Sequence, residues 1–306
     1  MSLNRFFFLA GLVCVSPCVI YGEAHCPRNA ASLPLRLIQN TLFVASVEVN
    51  GTGPYDFLVD TGAQVNSIDA TLAATLGLTS KGAAGVNGAA TYSRNLLVDL
   101  DLGAGGKRVE NSLAVMVKAP QLQAIDPRLR GILGGTFLEH FDFLLDNQNR
   151  ILCLDEGGTL SSSLKGQKIA LADPLTREET PVPFTRPLVV LAELSGFGKA
   201  KILLLDSGSN SPALFLDRAQ IQLSASKSSR TLKRFVNGAA QDFIVMPPQE
   251  VRIGKTVLQG TEFAVPMNSI GERVSALQED GVLPTIAYRR VFVSCQRGYV
   301  LLDPWN

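Results

Sequence analysis

The sequence predicts an all-β protein of two homologous lobes with a cleft between them, and three observations carry that reading. Short runs of β-branched, aromatic and aliphatic residues recur between breaks rich in Gly, Asn and Asp. Three sequence blocks repeat in one order at nearly one offset. Only 18% of residues are charged and 46% are hydrophobic, with 27 Gly and 16 Pro to serve the turns, so a compact strand-rich globule fits better than disorder.

The strands follow in order. LFVASVEV (42–49) and YDFLVD (55–60) flank Asn50-Gly51-Thr52-Gly53-Pro54, a hairpin signal. Residues 69–77 read as a short helix closed by Gly77. Strands at 96–102, 112–117, 141–145 and 150–154 complete the first lobe, with a hairpin turn at Gly103-Ala104-Gly105-Gly106. The second lobe repeats the plan with strands at 188–194, 201–206, 243–246, 251–258, 262–265 and 291–302. Residues 156–184 have no sustained period and are rich in Gly, Ser, Thr and Pro. They carry the inter-lobe connection, placed at 161–184 between lobes at 25–160 and 185–306.

The repeats are specific. Val86-Asn87-Gly88-Ala89-Ala90 recurs as Val236-Asn237-Gly238-Ala239-Ala240, an offset of 236 − 86 = 150. Gly131-Ile132-Leu133 answers Gly281-Val282-Leu283 at the same offset, and FLVDTGA (57–63) answers LLLDSGS (203–209) at 206 − 60 = 146.

The chain opens with an export signal. Arg5 precedes an apolar run from Phe6 to Ile20, and Gly22-Glu23-Ala24 supplies small residues before a cut after Ala24. The run is shorter than the roughly 20 residues of a spanning helix. A periplasmic or secreted location follows, with no membrane span in the mature chain; retention as a membrane anchor is the alternative. Cys14 and Cys18 leave with residues 1–24, and Cys26, Cys153 and Cys295 remain in an oxidising compartment. One bridge plus one thiol is expected, with the pair open. A formal net charge of +1 without a basic run leaves no electrostatic footprint for nucleic acid. Two histidines give metal clusters and His-dependent triads almost nothing to work with, so no metal and no cofactor is expected.

Chemistry concentrates at Asp60 and Asp206. Each carboxylate ends an apolar run, where burial is costly unless the charge is used or paired. Each is followed by a small hydroxyl residue, Thr61 or Ser207, and by Gly62 or Gly208, which permit a sharp turn and close approach of a ligand. Asp142, Asp146 and Asp303 also follow apolar residues but lack the glycine and read as strand-end or turn residues.

These two tripeptides in equivalent places resemble the aspartic peptidase clan, and LFVASVEVNGTGPYDFLVDTGA is similar to the opening of bacterial retropepsin-like peptidases. Gly131-Ile132-Leu133-Gly134 resembles the family segment that threads behind the active-site loop. The resemblance covers essentially the whole mature chain. It implies two retropepsin-like lobes, duplicated acid-protease barrels, working as a monomer on polypeptide substrates. It further implies catalysis by Asp60 and Asp206 sharing a proton, with Thr61 and Ser207 tying the loops together and Gly62 and Gly208 orienting the carboxylates. The repeated blocks stand where the family places flaps, so Val86, Asn87, Gly88, Tyr92, Val236, Asn237 and Gly238 are flap candidates. Two departures matter. Pro284 stands where Gly134 predicts glycine, so the second rear segment is expected to shift. Ala63 lacks the hydroxyl that Ser209 offers its carboxylate, which argues against a strongly acidic pH optimum. The rival reading is a catalytically silent peptide-binding or inhibitor protein on the same fold; it would be favoured by loss of an Asp or Gly, and all four are present.

Overall fold

The computed structural model describes residues 26–27, 29–87, 92–172, 185, 187–216, 230–236, 239–267 and 279–305. Residues 1–24, expected to be an export signal, lie outside them, with Cys14 and Cys18. Strand dominates the described residues, in three sheets. Eight strands between Arg36 and Leu133 form one sheet, and nine strands between Val189 and Pro284 form another. A six-stranded sheet draws on both halves, in the order Ala31–Pro34, Ile151–Asp155, Asp142–Asp146, Tyr288–Ser294, Tyr299–Pro304, Ile169–Ala170. This all-β, curled-sheet architecture is consistent with the acid-protease-like fold that the sequence leads one to expect. Among the described residues no helix is long and apolar enough to cross a membrane.

The local chemistry accounts for the elements. Strand Leu42–Val49 alternates buried and exposed in its second half and turns into Thr52–Val59 through Asn50 and Gly51, both at positive φ, as the Asn-Gly signal requires. The helix Ala70–Thr75 is capped by the Asp69 carboxylate on the Thr71 amide, and Gly77 follows it. Gly105 and Gly106, also at positive φ, turn strand Tyr92–Ala104 into Lys107–Val117. Two segments expected as single strands are hairpins. Gly254-Lys255 divides 251–258 between Gln249–Ile253 and Thr256–Thr261, and a turn at 295–298 divides 291–302. Cys26 and Cys153 form the disulfide, tying the segment before Ala31–Pro34 to strand Ile151–Asp155. Cys295 is free.

What positions the candidate site is one motif that occurs in both large sheets. Strand Leu129–Leu133 lies between Thr52–Val59, to which it is parallel, and Asn66–Asp69, to which it is antiparallel. Strand Gly281–Pro284 lies in the same way between Lys201–Asp206 and Ala213–Leu214. The registers are the same: Phe57 faces Gly131 as Leu203 faces Gly281, and Ile68 faces Gly131 as Leu214 faces Gly281. The shift expected from Pro284 does not occur. Pro284 sits beside Asp206 in the register that its counterpart Gly134 would continue.

The two threading glycines are required by space. A methyl on Gly131 would overlap the Phe57 ring and the Ser67 carbonyl, and one on Gly281 would overlap the Ala213 carbonyl. Ser67 and Ala213 each stand seven residues after their aspartate, so both glycines admit the same neighbouring strand.

Candidate active site

Asp60 and Asp206 stand where the two motifs meet. The loop after Val59 begins at the edge of the threading strand, with the Asp60 amide donating to the Leu133 carbonyl at 3.1 Å. It then turns back on itself, and Asp60 Oδ1 accepts from the amides of Gly62 and Ala63 at 2.9 and 3.1 Å. In the second loop Asp206 Oδ1 accepts from the Gly208 amide at 2.7 Å.

Thr61 and Ser207 join the loops by four hydrogen bonds with two-fold character. Thr61 Oγ1 accepts from the Ser207 amide at 3.0 Å and donates to the Leu205 carbonyl at 2.8 Å. Ser207 Oγ accepts from the Thr61 amide at 3.0 Å and donates to the Val59 carbonyl at 2.7 Å. Each hydroxyl therefore serves the amide of the other and the carbonyl just before the opposite aspartate. Thr61 is 7% exposed and Ser207 2%, so water replaces none of these bonds easily. Thr61→Val removes a donor and an acceptor and strands the Ser207 amide and the Leu205 carbonyl. Denaturant unfolding is expected to show a loss of about 2–4 kcal/mol, with Thr61→Ser within about 1 kcal/mol of the parent.

Each carboxyl lies against the other loop's glycine. A methyl on Gly62 would stand 2.6–2.8 Å from the Asp206 carboxyl atoms, and one on Gly208 would stand 2.5 Å from both Asp60 oxygens. The two side chains interact directly by hydrogen bond, with burial the dominant influence on each. Burial raises the Asp60 pKa, opposed by its hydrogen bonds with Asp206, Gly62 and Ala63. Burial raises that of Asp206 well above the ordinary range, reinforced by the Asp60 charge and then by its hydrogen bond to Asp60. Two carboxyls so placed hold one proton between them over a wide pH range.

The Ser209 hydroxyl does not play the part expected of it. It donates to the Ser211 carbonyl at 3.0 Å instead. Neither loop thus provides a hydroxyl to its carboxylate among the hydrogen bonds of the described residues.

The loops differ behind the dyad. In the first, buried Asn66 (0% exposed) accepts from the Gly134 amide at 2.8 Å, donates to Ser112 Oγ at 2.8 Å, and its amide donates to Thr136 Oγ1 at 2.9 Å. The Gly135 amide also donates to the Ala63 carbonyl at 2.7 Å. In the second loop the positions matching Asn66 and Gly134 are Pro212 and Pro284. The amide donor and its acceptor vanish together, so neither is left without the other. Asn66 is missing from the expected site residues. Its signal is an amide side chain in a short strand segment bounded by Val65 and Ile68.

The flap candidates fall on hairpins. Strands Gly82–Asn87 and Tyr92–Ala104 pair with Asn87 opposite Tyr92, and Arg230–Val236 and Ala239–Val245 pair with Val236 opposite Ala239. Gly88, Asn237 and Gly238 lie outside the described residues, as do the side chains of Val86, Asn87, Tyr92 and Val236. The identical pentapeptides are not equivalent in register, since four residues separate Asn87 from Tyr92 and two separate Val236 from Ala239. Asp142 and Asp146 begin and end one strand, and Asp303 lies in another, held by Arg289 and Arg290.

Residues 45–137, which include Asp60, Gly62 and the whole threading motif of the first sheet, match the family model of the aspartyl proteases. No curated protein matches the chain.

Proposed function

With residues 45–137 an aspartyl protease domain by their family match, we propose that the chain is an aspartic endopeptidase that cleaves polypeptides with a water activated between Asp60 and Asp206. The observation that carries the reading is the hydroxyl grip of Thr61 and Ser207, which holds two half-buried carboxyls together across the two halves. A turn-capping role for either aspartate requires no such arrangement.

Asp60, whose Oδ1 accepts from two amides at 2.9 and 3.1 Å, is assigned the charge, and Asp206 the shared proton. Asp60 takes a proton from the bridging water as it attacks the scissile carbonyl. Protonated Asp206 hydrogen-bonds to the carbonyl oxygen where negative charge develops. Collapse of the tetrahedral intermediate transfers a proton to the leaving amine and restores the shared proton. The two motifs of equal register support descent of the halves from one duplicated lobe, and a single chain then supplies both aspartates, so the active form is a monomer. The Cys26–Cys153 bridge, with the amino-terminal apolar segment, supports export to a periplasm or the outside.

The test is digestion of an unfolded protein by the chain from His25 to Asn306 over about pH 3–8, with products sized by mass spectrometry. Internal cleavage is expected, and it should persist well above the ordinary carboxylic-acid range before falling as Asp206 gives up its proton. No cleavage by the folded chain at any pH would leave the silent peptide-binding reading in its place.

A further inference from the structure

We infer that Thr185, where the connection between the halves rejoins the fold, is a positioning residue for the Asp60 loop and acts through Gln64. Thr185 Oγ1 donates to the Gln64 carbonyl at 2.7 Å, and its amide donates to the same oxygen at 3.3 Å. Gln64 returns the contact, its Nε2 donating to the Thr185 carbonyl at 2.8 Å. Thr185 is only 7% exposed, and its hydroxyl occupies the space that a methyl on Gly135 would need. Gly135 in turn donates its amide to the Ala63 carbonyl at 2.7 Å.

The bonds converge on two consecutive residues of the loop. Ala63 and Gln64 are adjacent, and the Ala63 amide donates to Asp60 Oδ1. Thr185 and Gly135 therefore hold the carbonyls of both residues, which restrains the chain immediately after the Ala63 amide that reaches the carboxylate. The second loop has a different arrangement at the matching position, where Asn210 accepts a hydrogen bond from its neighbour Ser211. The clamp acts on the aspartate that carries the charge, whose pKa depends on that amide donor. Loosening it weakens a hydrogen bond to the charged form, which raises the pKa.

The inference rests on the peptidase reading, and the experiment separates the two. Thr185→Val keeps the shape and removes the hydroxyl; Thr185→Ser keeps the hydroxyl. For parent and both variants, kcat, KM and thermal unfolding are measured, and the dyad titration is followed by carboxyl-carbon NMR of labelled aspartate. Thr185→Val is expected to lower kcat roughly five- to tenfold with KM within about twofold. It should move the lower dyad titration upward by about half a pH unit, and Thr185→Ser should restore both. Parent-like kcat and titration in Thr185→Val would overturn the inference. So would losses that follow the unfolded fraction in both variants while the titration stays fixed. If the parent cleaves nothing, the peptidase reading fails and the titration alone decides the coupling.

Discussion

Asp60→Asn and Asp206→Asn should each lower kcat/KM on a peptide substrate by about 10³-fold or more, and the double variant should fall no further. The two carboxyls do their work as one unit, so removing either removes the shared proton and the charge that activates water, and the second removal has nothing left to take. The same substitution should leave a more stable protein at neutral pH. A carboxyl whose pKa is raised on folding binds its proton more tightly in the native state. Its favourable contribution is whole below the unfolded value near 3.8 and is lost as pH rises through the folded value, which for Asp206 lies well above it. Asparagine does not ionise. Thermal unfolding of Asp206→Asn should therefore match or trail the parent near pH 3 and exceed it at pH 7, with a smaller gain for Asp60→Asn, whose pKa is raised less. Full activity in either variant would refute the dyad, and a variant that lost stability at pH 7 would contradict the burial of an ionisable pair.

Much of this site could be read from letters because its parts are local. An apolar run, an aspartate, a hydroxyl and a glycine lie within a few residues, and their recurrence 146 residues later pointed to a meeting of two loops. What lay hidden depends on pairing between distant segments. The six-stranded sheet joins Asp142–Asp146 to Tyr288–Ser294, and nothing near Phe143 names Val293 as its neighbour. The clasp between Gln64 and Thr185 spans 121 residues of two unremarkable polar side chains. Pro284 misled for a reason that pairs it with Pro212. Read alone it breaks the glycine pattern, whereas the two prolines together replace a donor and acceptor that Gly134 and Asn66 satisfy in the other half. Ser209 misled because a hydroxyl has more than one acceptor within reach, and the Ser211 carbonyl holds it. The repeated pentapeptide shows the converse: identical letters take different places in the hairpins because the loop lengths around them differ.

Gly208→Ala should reduce kcat by about 10²-fold or more while the protein still folds. The added methyl would stand 2.5 Å from both Asp60 oxygens. Equal proximity to both means that rotating the carboxyl within its plane brings no relief, so Asp60 must swing away from the Gly62 and Ala63 amides or the second loop must recede. Recession pulls on Ser207, which is fixed to Thr61 and Val59 by the grip, so the carboxyl yields first. Overpacking of this kind costs about 1–3 kcal/mol, which a chain of this size can absorb, whereas a misplacement of about 1 Å in the reacting groups costs about 10²-fold in rate. Gly62→Ala should act in the same direction and less strongly, since its methyl would meet Asp206 at 2.6–2.8 Å. Steady-state kinetics beside denaturant unfolding separates the two effects: kcat should collapse in both variants while the unfolding midpoint moves modestly, in the order Gly208→Ala beyond Gly62→Ala. Parent-like kcat in Gly208→Ala would mean that the contact of each carboxyl with the opposite glycine does not set the geometry of the reaction. Loss of folding in Gly62→Ala alone would place the steric constraint on the first loop's backbone and not on the facing carboxyls.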